Sequence, residues 1–224
     1  MGGLLGDFIP LAVGIAISPV PIIAVIMMLT SKGALRNAVL FATGWVLAMV
    51  VTCTAAILLF GEAATSAQKG TGLATDILQL VFGTLLLAMG TYRLRQRHKG
   101  VAPKQPRLLR SIENIKPAGA IGFGLAMIVV NPKNLMLLLS ALMQIGKSQP
   151  STATAVICVA IFICIASVGV LIPLFIYAVF RKKAMAILGS WNTWLAAHSS
   201  TVTMYLFLLL GVFLLVKGIV GLAS

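Results

Sequence analysis

The chain has 224 residues, of which 60% are hydrophobic and only 9% are charged, with a formal net charge of +13. Soluble domains carry about 25% charged residues, so this composition excludes a water-soluble globule and indicates a single transmembrane domain over residues 1–224. The positive charge does not indicate nucleic-acid binding, because most of the basic residues lie in short loops beside apolar segments.

Six apolar segments follow one another along the chain, and several of them are long enough to cross about 30 Å of hydrocarbon as helices. The predicted spans one to six cover residues 9–29, 38–60, 77–92, 119–144, 153–180 and 201–222. The N-terminal segment lacks the basic stretch and cleavage site of a signal peptide, so we expect it to be the first span. Between spans five and six, Trp191 and Trp194 follow a basic cluster, which predicts a separate helix lying in the membrane interface.

The distribution of basic residues predicts the orientation of the spans. The loops after spans one, three and five carry most of the 17 lysines and arginines, and the segment 93–117 is the most basic of them. Short basic loops usually face the cytoplasm, so these three loops are predicted to be cytoplasmic and both termini to be outside. The segment 93–117 is predicted to be a flexible linker, with contact to anionic lipid head groups as the alternative.

Spans one and four are each interrupted by polar residues and proline. Span one contains Ser18, Pro19 and Pro21, and span four contains the sequence Asn131-Pro132-Lys133-Asn134. Proline removes a backbone donor and breaks the helical hydrogen-bond ladder. In lipid, the freed backbone groups must find partners or line a wet cavity, so we expect the two breaks to face each other.

Lys133 is the one residue of the breaks that carries a charge. A lysine at mid-span costs about 2.5–3.5 kcal/mol on insertion scales, so it usually has a partner. The four carboxylates, Asp7, Glu62, Asp76 and Glu113, all lie at or beyond the ends of the predicted spans. Lys133 is therefore expected to meet an anionic ligand or the freed carbonyls of the first break. It could also be a lysine held only by the neighbouring amides and carbonyls. Lys217, near the end of span six, is expected to snorkel to the interface.

Residues of the two halves of the chain superimpose at fixed offsets. At an offset of 113, Pro19 falls on Pro132. At an offset of 128, glycines of spans three and six coincide: Gly83 with Gly211 and Gly90 with Gly218.

These matches predict two repeats of three spans each, over residues 1–92 and 118–224, joined by the basic loop 93–117. A third match, Gly44 with Gly169, is weaker. An odd number of spans forces the second repeat to enter the membrane in the opposite sense, as in secondary transporters whose broken helices mark a midplane site. The predicted fold class is therefore an all-α membrane protein of six helices in two inverted repeats, with helices 1 and 4 broken.

These features resemble the lysine-exporter (LysE) superfamily of small bacterial permeases. The sequences around the two breaks are most similar to its glycopeptidolipid- or sulfolipid-addressing (GAP) branch, which is associated with moving envelope glycolipids across the bacterial inner membrane. The resemblance implies an exporter or flippase for an anionic lipid or glycolipid, driven by an ion gradient. It also implies a substrate-binding site formed by Ser18, Pro19, Pro21, Asn131, Pro132, Lys133 and Asn134.

Other functions are predicted less strongly by the sequence. One alternative is an exporter of a small amino acid or similar metabolite, and another is a membrane scaffold for envelope-lipid biosynthesis. No ATPase or hydrolase motif and no metal-ligand cluster is present in the sequence, so we expect neither an enzyme nor a metal or cofactor. A related branch carries cysteines beside the same prolines where this chain has Val20 and Lys133, which argues against thiol–disulfide transfer. The expected partners are the lipid substrate, membrane lipids, a coupling ion such as a proton, and a second copy of the chain.

Overall fold

The computed structural model of the protein describes residues 2–31, 33–66, 70–98, 112, 115–148, 150–180 and 183–223. Within these residues the chain forms eight helices and no strand. In chain order they are α1 (Gly2–Ala16), α2 (Pro19–Leu29), α3 (Ala34–Ser66), α4 (Gly70–His98), α5 (Pro117–Val129), α6 (Pro132–Lys147), α7 (Thr152–Phe180) and α8 (Ala184–Ala223). The prediction of an all-α protein is confirmed for this part of the chain.

The helices account for between four and six membrane spans. α3, α4, α7 and α8 are each long and apolar enough to cross a membrane. α1 and α2 form a pair bent by 45°, and α5 and α6 form a pair bent by 64°, and each pair can serve as one broken span. The protein is thus a multi-pass membrane protein, and its two breaks occur at the predicted prolines.

Several helices differ in extent from the predicted spans. α4 covers 29 residues rather than residues 77–92, because backbone hydrogen bonding does not stop where the apolar residues end. The separate interface helix predicted before span six is not found: residues 184–198 form the first part of α8, which has 40 residues. No proline interrupts the chain there, so the helix continues for about 60 Å, roughly twice the hydrocarbon thickness. Of the basic linker 93–117, residues 99–111 and 113–114 lie outside the described residues.

α4 and α8 pack against each other backbone to backbone. A side chain at Gly83 would place its Cβ 2.8 Å from the nitrogen of Leu215, and one at Gly211 would place it 3.0 Å from the nitrogen of Leu87. A second set of glycines makes the same kind of contact with leucine side chains: Gly90 with Leu208 and Gly218 with Leu80. Real Cβ atoms do not approach neighbours this closely, so the packing of this pair depends on glycine.

The first half of each broken span packs on a long helix of the other half of the chain. α1 packs on α7, and α5 packs on α3. Glycine permits close contact at both places, where Gly169 lies against the carbonyl of Ala16 and Gly44 lies against the carbonyl of Ile121. Because Ala16 is the last residue of α1, this contact fixes the position of the first break.

Contacts between distant segments show which helix ends lie on the same side of the bundle. The side-chain amide of Asn37, at the start of α3, donates to the carbonyl of Ile115, just before α5, at 3.1 Å. The other ends of the helices are joined by two ion pairs, Lys147 with Asp76 and Lys217 with Asp7. The helix ends that the charge pattern assigns to one side therefore do lie together.

Candidate functional site

Each bent pair breaks at a proline that is preceded by an extended residue. Ser18 (φ −64°, ψ 114°) precedes Pro19, and Asn131 (φ −81°, ψ 106°) precedes Pro132. Proline disfavours the α conformation in the residue before it. It then begins the next helix, at a position where no backbone N–H is needed. Both breaks are therefore set locally by the sequence.

The first break frees a backbone carbonyl in the last turn of α1. Pro19 has no N–H to offer to the carbonyl of Ile15, and the amide of Ser18 donates to that carbonyl instead, at 3.1 Å. In an unbroken helix the amide of Ser18 would bond to Gly14. Lys133 takes the place of that amide, because its Nζ donates to the carbonyl oxygen of Gly14 at 2.6 Å.

This contact joins the start of α6 to the end of α1. Lys133 is only 2% exposed. The free carbonyls at a helix C-terminus carry partial negative charge, so the end of α1 is a favourable site for an ammonium group. Of the alternatives that the sequence leaves open for Lys133, the structure shows contact with a freed carbonyl of the first break.

Within the described residues, Lys133 has no carboxylate partner. The described carboxylates Asp76 and Asp7 pair with Lys147 and Lys217 at the far ends of the helices. A charge taken out of water needs a partner or a polar environment. The formal charge of Lys133 is therefore met by one backbone carbonyl and a helix end, and its ammonium makes no other hydrogen bond within the described residues.

The asparagine side chains of the second break hydrogen-bond mainly to backbone groups at the helix ends beside it. Asn134 donates from Nδ2 to the carbonyl of Met127 at 3.0 Å, near the end of α5. Its Oδ1 is buried and has no hydrogen-bond partner among the described residues. Asn131 caps α6, because its Oδ1 accepts from the backbone N–H of Lys133 at 3.2 Å.

The other residues of the predicted site differ in exposure. Ser18, Pro19 and Pro21 are buried, and Ser18 makes no capping hydrogen bond to α2. Asn131 is half-buried and Pro132 is exposed. The two breaks meet through Lys133, and in the described structure no hydrogen bond links Ser18 or the first two prolines to the second break. Their assignment to a substrate site stays a prediction.

An apolar pocket of about 470 Å³ lies beside the first break. All of its lining residues are apolar or glycine, and they come from the first break, α7 and α8; they include Ala16, Ile17, Ile22, Ile172, Trp191 and Trp194. Ile17 is 46% exposed and Trp194 is 56% exposed, so the pocket is open at the side of the bundle.

Sequence reasoning missed both this pocket and the two ion pairs. Lys147 Nζ lies 2.7 Å from Asp76 Oδ1, and Lys217, which was expected to snorkel, pairs with Asp7. The paired residues are 71 and 210 positions apart in the chain, so only the helix packing brings them together. The sequence did carry one signal for these ion pairs, because the paired residues have opposite charges and lie at helix ends that are predicted to be on the same side of the membrane.

Two bent helix pairs that meet at a buried lysine, within a bundle of long apolar helices, define a multi-pass membrane protein with a polar centre and a lateral apolar pocket. The chain matches the family described as Sap, sulfolipid-1-addressing protein, over residues 8–220. Because this match covers nearly the whole chain, the protein belongs to the sulfolipid-1-addressing protein family. Neither the comparison with curated proteins nor the comparison with solved structures finds a match. Membership of the family suggests a role in the export or addressing of an envelope lipid.

Proposed function

We propose that the protein is a secondary-type transporter that exports or flips an anionic lipid or glycolipid of the bacterial cell envelope across the inner membrane. The observation that carries this proposal is the buried ammonium of Lys133, which is held by the carbonyl of Gly14 at 2.6 Å. Without a carboxylate partner in the described chain, it attracts an anion more strongly than a paired lysine would. An anionic head group would compete with Gly14 for this ammonium at the point where both spans are broken.

The apolar pocket favours a lipid over a small solute as the substrate. A free amino acid has two charged groups, and the lining offers them no charged partner, since its only side-chain donors are the indole N–H groups of two tryptophans. An acyl chain, in contrast, needs no hydrogen bond, so it can pass from the bilayer into this pocket without losing any polar contact. Since the pocket lies at Ala16 and Ile17, next to the first break, a tail could occupy it while the head group is held at the breaks.

The arrangement of the helices supports two inverted repeats. Gly83 contacts Leu215, and Gly211 contacts Leu87. At an offset of 128, Gly83 matches Gly211 and Leu87 matches Leu215, so the two contacts are equivalent in the two repeats. The contacts of Gly90 with Leu208 and of Gly218 with Leu80 are equivalent at the same offset. A pseudo-twofold axis between the two helices produces reciprocal contacts of this kind.

The contacts at the two breaks are related by the offset of 113. Gly14 and Met127 are 113 positions apart, as Pro19 and Pro132 are, and both have carbonyls that accept from a side chain of the second break. The donors differ, because Lys133 serves Gly14 and Asn134 serves Met127. The backbone contacts at the two breaks are therefore symmetric, but the charge is not, because Lys133 of the second break is the one charged residue of the two breaks.

We further propose that both termini lie outside and that the family belongs to the lysine-exporter superfamily, which the protein resembles in sequence. The contact between Asn37 and Ile115 supports the same-side placement of the two basic loops that these residues flank. A proton gradient is the proposed driving force. Export of a small amino acid or similar metabolite is the alternative transport function, and scaffolding of envelope-lipid biosynthesis is the alternative without transport.

A deletion strain complemented with variants of the gene tests this proposal. Lipid analysis of the outer surface should show loss of an anionic lipid, with accumulation of the same lipid inside the cell. The wild-type gene should restore the surface lipid, and Lys133→Met should not, although the protein reaches the membrane at the same level. An unchanged lipid composition in the deletion strain would contradict the lipid substrate. Restoration by Lys133→Met would favour a scaffold, because a scaffold needs only its contacts with partners.

A further inference from the structure

A row of polar residues, buried except for the last, follows one face of α6 away from the break. Lys133, Ser140, Gln144 and Lys147 are spaced seven, four and three residues apart, and we call these four residues the polar face of α6. Such spacings return to nearly the same side of a helix. The row is about 21 Å long at 1.5 Å per residue, which is roughly two thirds of the hydrocarbon thickness. It links the predicted site to one surface of the bundle.

Two side chains in this region are completely buried and have unpartnered polar atoms. Ser140 Oγ has no hydrogen-bond partner in the described structure, although a serine within a helix can bond to a carbonyl of its own previous turn. Gln79, on the neighbouring α4, has no partner for either its amide nitrogen or its oxygen. Both residues are 0% exposed. Buried polar groups almost always have a partner, so these atoms can bond to water or to another polar guest.

An ion pair lies at the far end of the row. Lys147 Nζ lies 2.7 Å from Asp76 Oδ1 and 2.8 Å from Oδ2. The Asp76 side chain is 4% exposed and that of Lys147 is 33% exposed, so the pair lies at the boundary between the buried row and the surface. Gln79 is one turn further along α4 from Asp76, and Gln144 is one turn back along α6 from Lys147. The two glutamines therefore continue the polar row inward from the ion pair.

We propose that the polar face of α6 is the outward path of an anionic head group, and that Asp76 closes it by pairing with Lys147. Lys133 binds the anion at the break, Ser140 and Gln79 donate to it during passage, and Lys147 receives it once Asp76 releases its ammonium. In the structure described here the path is closed. This proposal rests on the proposed function, because it gives the route of the head group through the same site.

Labelling of single cysteines tests the path without requiring transport. The background protein carries alanine at the native cysteines, Cys53, Cys158 and Cys164. Ser140→Cys places a thiol on the polar face of α6. Leu142→Cys is the matched control, since it lies about half a turn away on the same helix and nearer to the Lys147 end. The probe is a membrane-impermeant methanethiosulfonate that carries a sulfonate, added to either side of sealed vesicles.

The expected result is that Asp76→Asn increases the labelling rate of Ser140→Cys from the Lys147 side about tenfold, as expected if the ion pair favours the closed path by ~1.4 kcal/mol. Lys147→Ala also removes the pair, but it leaves the Asp76 carboxylate unpaired and takes away the ammonium that receives the anion, so it should increase labelling by the sulfonate less than Asp76→Asn does. Leu142→Cys should stay unreactive in all backgrounds, although it is less deep. Thermal unfolding of each variant checks that the fold is kept.

Three results would overturn the path. Ser140→Cys could react no faster than Leu142→Cys whether or not the ion pair is present. It could react only from the opposite side of the membrane. An uncharged thiol reagent could label it while the sulfonate does not, which would mean that only water passes. Since labelling needs no substrate, lipid transport without labelling would contradict the path alone, and labelling without lipid transport would contradict the proposed function.

Discussion

Lys133→Met should leave the protein folded and abolish transport. Placing a lysine at mid-span costs about 2.5–3.5 kcal/mol on insertion scales, and methionine removes this cost. The substitution also leaves the buried carbonyl of Gly14 without its donor, at 2.6 Å in the wild type, and an unmade hydrogen bond of this kind costs about 1–3 kcal/mol. The two terms oppose each other, so the free energy of unfolding should change by about −0.5 to +2.5 kcal/mol, from neutral to stabilising.

The matched control is Lys217→Met, which removes the other lysine within a predicted span. Its partner Asp7 is 26% exposed, so loss of this ion pair should cost no more than about 1 kcal/mol. Both proteins should unfold near the wild-type temperature in detergent. In reconstituted vesicles, a labelled anionic lipid should be moved by Lys217→Met and not by Lys133→Met.

Two outcomes would refute the reasoning. If Lys133→Met moves the lipid at the wild-type rate, the ammonium is not part of the site. If Lys133→Met instead unfolds with a free energy lowered by more than about 3 kcal/mol, the hydrogen bond to Gly14 is structural, and loss of transport would carry no information on binding.

Three further substitutions have expected outcomes. Ile172→Trp, which fills the apolar pocket, should slow lipid transport, whereas Leu171→Trp on the adjacent residue outside the pocket should not; equal rates in a flip assay would mean that no tail uses the pocket. Gly83→Ala should lower the free energy of unfolding by about 1–3 kcal/mol because its Cβ overlaps α8, while Gly122→Ala, with no atom nearby, should be neutral or stabilising by thermal melts. Asn134→Leu should destabilise by roughly 1–3 kcal/mol, since it leaves a buried carbonyl of α5 without a donor, and an unchanged melting temperature would show that water replaces the amide.

The breaks could be predicted from the sequence because proline acts locally. Pro19 and Pro132 lack an N–H and push the preceding residue out of the helix, whatever the rest of the chain does. The class of the protein was equally accessible, since apolar length and composition require a membrane. The continuous α8 was not predicted, because the basic and tryptophan-rich segment before span six carries interface signals without a helix breaker.

The partner of Lys133 and the apolar pocket depend on tertiary packing. The sequence offered an anion, a freed carbonyl of the first break or the neighbouring amides and carbonyls as the partner of Lys133. Only the packing of α1 on α6 places the carbonyl of Gly14 within reach. The pocket requires Ile172 and Trp194 to meet the first break, which no periodicity indicates. The polar face of α6 did have a signal in the sequence, because Ser140 follows Lys133 at a helical spacing.

Translocation of two lipids by the purified wild-type protein tests the central claim most directly. The lipids have the same acyl chains, and one has an anionic head group while the other has a neutral one. We predict that vesicles containing the protein move the anionic lipid between leaflets faster than empty vesicles do, with little effect on the neutral lipid. Equal rates for both lipids, or no lipid movement together with transport of a free amino acid, would contradict the proposal.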